Sequence, residues 1–410
     1  MSKKLDTAPY KGVRDFYPED MRVQKYLFDT MREICERYGY VEYGASPLEP
    51  AELYRAKSGD EIVNDQTYTF TDRGDREVTL RPEMTPTVAR MVAGKRRELG
   101  FPLRWYSIPN LFRYEAPQRG RLREHYQLNV DMFGTQDVEA DAEIILVAYN
   151  ILRKFGAEEK DFEIKINNRK NTIAGVAIES LTDEQKHAFW KALDKKDKVT
   201  PEEYATTLTS IFGKSEGIEL VPNNETNSLL TYLKERGVGN AVFSPTLARG
   251  FDYYTGTIFE IFDTNPENRR SLFGGGRYDG LTQLFDNENI PAIGFGMGDV
   301  TLRDFLITHD LLPKIDSNVK LCIASLSPEM KNETLSLAEA LRSHGVTVAT
   351  DTTGRKIADK IKNADKNEIP FFIAIGEEEV ANKKYKIKHL ITGKEETFTQ
   401  EEVAELIRKS

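Results

Sequence analysis

The feature that most constrains the fold of this chain is the stretch from Leu111 to Gly134, LFRYEAPQRGRLREHYQLNVDMFG. It combines two strand-like runs, 105–114 and 125–133, with an arginine-rich turn between them that holds a proline and a glycine. Two antiparallel strands joined by a long cationic loop are the economical interpretation of this pattern. We expect the rest of the chain to be organised around this hairpin.

The return strand of the hairpin alternates polar and apolar side chains. Gln127, Asn129 and Asp131 are predicted to face one way, and the apolar residues that follow each of them the other way. Arg113 ends the first strand, so a planar cation and a polar row can share one surface. Such a surface can hold a polyanion together with a small polar molecule. The alternative is a charged surface hairpin whose arginine loop is merely solvated.

Length and composition describe an ordinary globular protein. The 410 residues suffice for two or three domains, and 39% hydrophobic with 30% charged residues is a typical balance. The net charge of −9 argues against sequence-blind binding of nucleic acid by the whole surface. A nucleic-acid partner would need local basic patches, for which the 113–123 loop and the run Lys383–Lys388 are candidates.

Three negative features of the sequence predict a cytoplasmic protein. No apolar run approaches membrane-spanning length, and the start, MSKKLDTAPYKG, lacks the apolar segment of a secretory signal. Cys35 and Cys322 lie far apart without metal-ligand spacing, so we expect two reduced core thiols and neither a disulfide nor a zinc site.

A second hairpin, 68–80, turns at Asp72-Arg-Gly-Asp and delivers the run Arg81-Pro-Glu-Met-Thr-Pro. A buried carboxylate is costly unless it meets a cation. Glu83 therefore suits an α-ammonium group, with Thr85 as a second hydrogen-bonding partner. The alternative is an ordinary helix start in which Thr85 is the N-cap.

Two further stretches carry chemistry. The run 244–262 places Arg249 beside an Asp-Tyr-Tyr set that ends at Tyr253 and Tyr254, ahead of a strand-like segment. A glycine run then leads to Arg277, Tyr278 and an aspartate. A core strand accounts for the aromatic residues but not for the arginine, and a plain glycine turn is a fair alternative for the second stretch.

These stretches resemble a known family. F-R-Y-E with an arginine-rich loop and a polar return strand resembles motif 2 of the class II aminoacyl-tRNA synthetases. The stretches R-G-x-D-Y-Y and G-G-R-Y-D are similar to motifs specific to the histidyl-tRNA synthetases. K-G-x-R-D-F near the start and the segment 40–50, which resembles motif 1, agree with this family.

The resemblance implies an α+β fold: a class II catalytic core on an antiparallel sheet, over residues 1–310, with a helical insertion at about 167–240. Residues 308–318 are typical of a linker. Beyond it, strands and helices alternate, which predicts an α/β domain with a mostly parallel sheet over residues 318–410. The family has an anticodon-binding domain at this place.

The implied activity is that of a histidine–tRNA ligase that acts on L-histidine, ATP and the tRNA for histidine. The resemblance also implies that two copies of the chain form a homodimer. Histidine attacks the α-phosphate of ATP, and the acyl group then moves to the 3′ end of the tRNA. Carried over, the family's roles put Arg113 and Arg249 on the α-phosphate and Arg121 near the departing phosphates. ATP also implies Mg²⁺, held through substrate oxygens and waters.

The remaining family roles concern histidine: its amino-acid end, its imidazole ring and the wall of its pocket. They fall on Glu83, Thr85 and Gln127 for the amino-acid end, on Asp131 and Tyr254 for the ring, and on Tyr253 and Tyr278 for the wall.

The sequence departs from the family at motif 3. Ile293–Gly298 enters a helix as expected, but the usual arginine three residues after the last glycine is replaced by Thr301. Arg303 is two residues further on, about 200° around a helix, so it cannot take over that position directly. Two rivals are open: a regulatory paralogue serving histidine biosynthesis, and a synthetase of different amino-acid specificity.

Overall fold

The structure is a computed structural model that describes residues 4–55, 66–173, 176–178, 181–196, 199–216, 218–248, 253–268, 271–285 and 288–409. The chain forms two compact units. The first comprises Met1–Phe16 with Gln24–Pro313, and the second comprises Tyr17–Val23 with Lys314–Ser410.

The chain up to residue 313 contains a long series of strands. In chain order they are β1 (Val41–Glu42), β2 (Leu48–Pro50), β3 (Tyr68–Thr71), β4 (Glu77–Leu80), β5 (Leu103–Ser107), β6 (Asn110–Phe112), β7 (Glu124–Phe133), β8 (Phe162–Asn168), β9 (Thr172–Ile173), β10 (Val176–Ala177), β11 (Leu220–Val221), β12 (Ala241–Phe243), β13 (Thr257–Asp263), β14 (Ser271–Arg277) and β15 (Ala292–Gly298).

Helices lie between these strands. In chain order they are α1 (Pro18–Arg37), α2 (Glu52–Arg55), α3 (Thr85–Lys95), α4 (Val138–Lys154), α5 (Asp183–Lys195), α6 (Pro201–Phe212), α7 (Asn224–Glu235) and α8 (Asp299–Thr308). The predicted helix and loop after Glu49 is described only as far as α2, since 56–65 lie outside the described residues.

The large sheet has the strand order β1-β5-β7-β15-β14-β13-β8-β12, and β6 pairs with the start of β7. Its pairs are antiparallel except at the two edges, where β1 meets β5 and β12 meets β8 in parallel. The predicted hairpin is confirmed, because β5 and β6 both pair antiparallel with β7. The predicted α+β class on an antiparallel sheet is confirmed as well.

The alternation in β7 decides which face of the sheet is covered. Leu128, Val130 and Met132 are at most 1% exposed and pack into one apolar core with residues of α1 and α4, among them Leu27 and Ile144. The opposite face of β7 is left to its polar side chains. The polar face is therefore free to form the cleft described below.

A small sheet, β2-β4-β3, stands beside the large one. Its β3–β4 hairpin pairs Tyr68 with Leu80, as the turn chemistry predicts. Arg81 follows β4 directly and is buried. Its guanidinium donates to the backbone oxygens of Ala45 (2.7 Å) and Asn110 (3.0 Å), so the loop leading to Glu83 is anchored.

The region predicted as a helical insertion contains two different parts. α5 and α6 pack with β9 and β11 around their own apolar core, which includes Phe189, Trp190 and Leu208. α7 instead places Leu229 and Leu233 in the core of the large sheet. The self-contained part is therefore shorter than the predicted span, because α7 has an apolar stripe that matches the large sheet's helical layer.

The second unit is an α/β domain. Its strands are β16 (Leu321–Ser325), β17 (Val348–Asp351), β18 (Phe371–Ile375), β19 (Tyr385–His389) and β20 (Glu395–Phe398), and its helices are α9 (Lys331–Ser343), α10 (Ile357–Lys366), α11 (Glu377–Asn382) and α12 (Gln400–Lys409).

The sheet of this unit runs β17-β16-β18-β19-β20. The first three strands are parallel, but β18–β19 and β19–β20 are antiparallel, so the sheet is mixed rather than mostly parallel. Gly393, whose φ is +72°, lies in the tight turn between β19 and β20, so the short strand β20 folds back onto β19 and adds an antiparallel pair that the local sequence pattern did not indicate.

None of the helices in the described part of the chain is long and apolar enough to cross a membrane. Cys35 and Cys322 are both buried and unpaired, as predicted.

Candidate active site

The polar face of the large sheet opens into a cleft of about 260 Å³. Its lining comes from β7, β14 and β15, from the loop after β4, from the 113–123 loop and from the start of α8. All predicted site residues that the structure describes lie around this one cleft: Glu83, Thr85, Arg113, Arg121, Gln127, Asp131, Tyr253, Tyr254 and Tyr278. Arg249 lies outside the described residues.

One end of the cleft is built around Asp131, which is 3% exposed. The Tyr278 hydroxyl donates a short hydrogen bond to Asp131 Oδ1, while Oδ2 is buried without a hydrogen-bonding partner in the described structure. Burial raises the pKa of Asp131 to about 7, although the bond from Tyr278 opposes the shift. The site therefore presents one unused acceptor that a donor from a ligand would satisfy.

A second buried carboxylate, Glu83, is 3% exposed and accepts a hydrogen bond from the Tyr253 hydroxyl at 3.1 Å. Its loop is held in place by Arg81 and by Arg113, whose Nε donates to the Pro82 oxygen at 2.8 Å. Thr85 is the first residue of α3, and Met84 is the N-cap, without a side-chain capping bond. The interpretation of Thr85 as an N-cap is therefore wrong, and Thr85 is one of the residues that line the cleft.

Three tyrosines form one aromatic wall. The rings of Tyr253 and Tyr254 are 5.0 Å apart between centroids, and those of Tyr253 and Tyr278 are 6.0 Å apart. Burial raises the pKa values of Tyr253 and Tyr278 well above the ordinary value, so both remain neutral hydroxyl groups. The tyrosines join the two carboxylate ends of the cleft.

The floor of the cleft consists of glycines on two neighbouring strands. Gly274 pairs with Gly296, and Gly276 pairs with Gly294. A Cβ on Gly294 would lie 2.3 Å from Asp131 Oδ1, and one on Gly296 would lie 2.8 Å from the Gln127 side chain. Gly294 and Gly296 are required because the polar side chains of β7 lie directly over them.

Cationic groups line the other side of the cleft. Arg113 is held by Pro82, whereas Arg121 in the 113–123 loop is 60% exposed with its Nε 3.7 Å from Glu115 Oε2. Arg119 in the same loop pairs with Asp304 of α8 at 3.0 Å. An anion that enters this side would meet a fixed guanidinium and a loosely held one.

His125 belongs to the same lining and was not singled out in the sequence. Burial and the nearby charges of Arg113 and Arg14 lower the pKa of His125 to about 3, so its imidazole is neutral. His125 lies two residues before Gln127 on β7, so the alternation of the strand would have predicted that its side chain shares the cleft-facing side. The sequence offered no sign that the ring is kept uncharged.

Thr301 lines the cleft where the family pattern expects an arginine. Its hydroxyl donates to the backbone oxygens of Leu272 (2.8 Å) and Gly298 (3.2 Å), so it closes the start of α8 onto β14. Asp299 beside it is buried and accepts from Arg14, Gln24 and the Tyr126 backbone. This turn is thus a structural junction. Thr301 brings no positive charge to the cleft at the place where the family pattern has an arginine.

An antiparallel sheet that carries a glycine floor, a buried acidic loop and an arginine-bearing hairpin defines the catalytic domain of a class II aminoacyl-tRNA synthetase. Comparison with known proteins gives the family. Residues 12–300 match the model for Histidyl-tRNA synthetase, and residues 320–410 match that for the Anticodon binding domain. The chain belongs to the histidyl-tRNA synthetase family.

Relatives along the whole chain agree. The histidine–tRNA ligase of Leptospira biflexa is 43% identical over 431 aligned residues, covering 99% of this chain and 98% of that protein. The Thermoplasma volcanium enzyme of the same name is 36% identical, covering 98% of each. The apo histidyl-tRNA synthetase of S. aureus superposes with a TM-score of 0.78 at 26% identity, over 98% of this chain and 100% of that one.

Proposed function

We propose that this protein is a histidine–tRNA ligase that activates L-histidine with ATP and transfers it to the 3′ end of its tRNA. The observation that carries this proposal is the unused Oδ2 of Asp131 beside the Tyr278 hydroxyl, in the same cleft as the buried carboxylate of Glu83. An imidazole with one N–H and an α-ammonium group are the two donors that such a cleft would satisfy.

In this proposal histidine lies along the tyrosine wall. Its ammonium group contacts Glu83, with Thr85 and Gln127 as further partners, and its ring lies between Asp131 and Tyr254. Glu83 and Asp131 line the same cleft but accept hydrogen bonds from different tyrosines, Tyr253 and Tyr278, which supports this orientation. A side chain without a ring N–H would leave Asp131 Oδ2 unsatisfied, which disfavours other amino acids.

ATP would occupy the cationic side. Arg113 and Arg249 would neutralise the α-phosphate, and Arg121 would follow the departing phosphates once it leaves Glu115. The aromatic ring of His125 could stack against the base. Because this ring is neutral, it does not repel the neighbouring guanidinium of Arg113. Mg²⁺ would be bound through phosphate oxygens and water, because this cation keeps several waters and favours phosphate ligands.

The reaction has two displacements. The histidine carboxylate attacks the α-phosphorus and pyrophosphate leaves; then a hydroxyl of the tRNA's terminal ribose attacks the acyl carbon and AMP leaves. Each step requires placement of reactants and stabilisation of growing negative charge on phosphate oxygens. Arg113, whose Nε is fixed on Pro82, supplies a preorganised cation for the first step.

Two further parts of the proposal concern assembly and location. We infer a homodimer through the segment 40–50, where Val41 is 63% exposed and Leu48 45% exposed; sedimentation that reports a monomer at micromolar concentration would contradict it. We also infer that residues 318–410 bind the anticodon and that the enzyme works in the cytoplasm, where tRNA is charged.

The deciding experiment is pyrophosphate exchange into ATP with each amino acid in turn. We expect exchange with histidine and no comparable exchange with the other amino acids. A second assay follows histidine transfer to tRNA. A protein that binds histidine but neither exchanges pyrophosphate nor charges tRNA would instead be a regulatory binding subunit.

A further inference from the structure

The end of β14 carries a buried cation that the proposed chemistry does not use. Arg277 precedes Tyr278, and its side chain is only 5% exposed. Since neighbouring strand residues point to opposite faces, Tyr278 faces the cleft while Arg277 faces the helical layer behind it. A guanidinium at this depth needs partners for all its N–H groups.

The partners of Arg277 come from the segment that follows β7. The guanidinium forms a short ion pair with Asp141 of α4 and donates to the backbone oxygens of Thr135 (2.8 Å) and Asp137 (3.4 Å). Asp141 is 6% exposed, so the pair is shielded from water on both sides. These contacts hold in place the segment that follows β7, and β7 itself ends two residues after Asp131.

The same residue holds the loop that carries Tyr254. The Thr255 backbone donates to the Arg277 oxygen at 2.7 Å, and the Thr255 hydroxyl donates to Asp279 Oδ2 at 3.1 Å. Asp279 Oδ1 in turn lies 3.3 Å from Arg277 Nη1. The Arg277 guanidinium thus contacts the segment after β7 directly and reaches the Thr255 hydroxyl through Asp279, while its backbone oxygen accepts from the Thr255 backbone N–H. Three segments meet at this residue, and each contributes a residue to the proposed imidazole site.

We propose that Arg277 is a positioning residue for histidine: it clamps the ends of β7 and β14 and the 253–256 loop together, so that Asp131, Tyr278 and Tyr254 meet one ring. It does not touch substrate. The inference rests on the proposed function, because it assigns these three residues to histidine. Its signature is a defect confined to histidine, since Arg113 and Arg121, which are proposed for ATP, come from the 113–123 loop.

A control exists on the same helix, at an ion pair that is more exposed than that of Arg277. Arg104 of β5 pairs with Glu143 of α4, with Nε–Oε1 at 2.7 Å and Nη2–Oε2 at 3.0 Å. Arg277 and Arg104 therefore both tie a strand of the large sheet to α4, at carboxylates two residues apart. Neither Arg104 nor Glu143 lines the cleft.

The test measures KM and kcat for histidine and for ATP by pyrophosphate exchange in Arg277→Gln, Arg277→Lys and Arg104→Gln, each with its thermal unfolding. Arg277→Gln should raise KM for histidine about tenfold or more, because pocket groups displaced by a fraction of an ångström lose their ligand geometry. KM for ATP should stay within about threefold. Arg277→Lys should be intermediate, since one ammonium cannot replace the guanidinium fork.

Arg104→Gln should lower the unfolding temperature without changing KM for histidine. Equal rises of both KM values in Arg277→Gln, no rise at all, or the same histidine defect in Arg104→Gln would overturn the proposal. If Arg277→Gln does not fold, Thr255→Val removes one hydroxyl of the same network and should still raise KM for histidine selectively; an unchanged KM would count against the clamp. Absence of histidine-dependent exchange in the wild type would refute the proposed function instead.

Discussion

Asp131 is a side chain whose burial is costly for folding and which we propose to serve in binding. Its carboxyl group is buried, Tyr278 is its only hydrogen-bonding partner among the residues that the structure describes, and its pKa is raised to about 7. A buried polar group without its full set of partners lowers stability, and such groups are concentrated at functional sites. We interpret the unused oxygen as the part of the site that histidine completes.

Asp131→Asn should therefore weaken the use of histidine strongly. The ring N–H loses a charged acceptor, an effect on the order of 1.5–3 kcal/mol in kcat/KM for histidine. KM for ATP should barely change, which serves as the internal control. Pyrophosphate-exchange kinetics that stay within about twofold of wild type for histidine would remove Asp131 from the site.

The same substitution should stabilise the protein without ligand at alkaline pH. Because the pKa of Asp131 is higher in the folded protein than in the unfolded chain, its contribution to stability is present at low pH and is lost as the pH rises from about 4 to about 7. Asn carries no charge to bury. The unfolding free energy of Asp131→Asn minus that of wild type should therefore be more favourable at pH 8 than at pH 4, by roughly 1–3 kcal/mol. Urea unfolding at both pH values checks this, and a gain that is independent of pH would show that Asp131 is not titrating as described.

Strand β15 needs glycine at some positions because atoms of the neighbouring strand β7 occupy the space of a side chain. An alanine Cβ at position 294 would lie 2.3 Å from Asp131 Oδ1 and 2.5 Å from the Val130 backbone oxygen. Backbone and a buried carboxylate cannot yield as a flexible side chain could. The alternating glycines of this strand are thus part of the pocket wall.

Gly294→Ala should lower the unfolding free energy by roughly 1–3 kcal/mol and impair histidine-dependent exchange, because the added methyl group displaces Asp131. Gly298→Ala on the same strand is the control, since the nearest atom to its Cβ would be Thr301 Oγ1 at 3.5 Å. Thermal unfolding and exchange kinetics of the two variants test the difference. If Gly294→Ala kept the histidine KM of wild type, the close packing of β15 on β7 would be wrong.

The second unit has an apolar core of its own, which includes Leu321, Ile373 and Val403. We predict that deletion of 318–410 spares much of the adenylation chemistry, since the cleft is built within the first unit, but sharply impairs charging of tRNA. Pyrophosphate exchange and aminoacylation are measured on the same preparation, with circular dichroism to verify folding. A folded truncated protein that charges tRNA as well as the full chain would exclude an anticodon role for this unit.

Much of this architecture could be predicted from local patterns. The period-two alternation of β7 and the turn residues at 72–75 each depend on neighbours in the chain, so their sequence signals are strong. Nine of the residues that line the cleft were also predicted, because each lies in a short contiguous motif. The mixed sheet of the second unit, the place of α7 in the main core and the role of His125 were not, since each depends on which distant surface the segment meets.

By itself, the sequence determined which side chains share a face of β7 and which residue types reach the cleft, because both follow from strand geometry and from contiguous motifs. Only the tertiary structure decided that Asp131 has an unused oxygen, that His125 is neutral and that Arg277 ties three segments together. The partners concerned, Tyr278 for Asp131 and Asp141 for Arg277, are separated by 147 and 136 residues. Burial and charge at such contacts are properties of the folded chain, which no local period encodes.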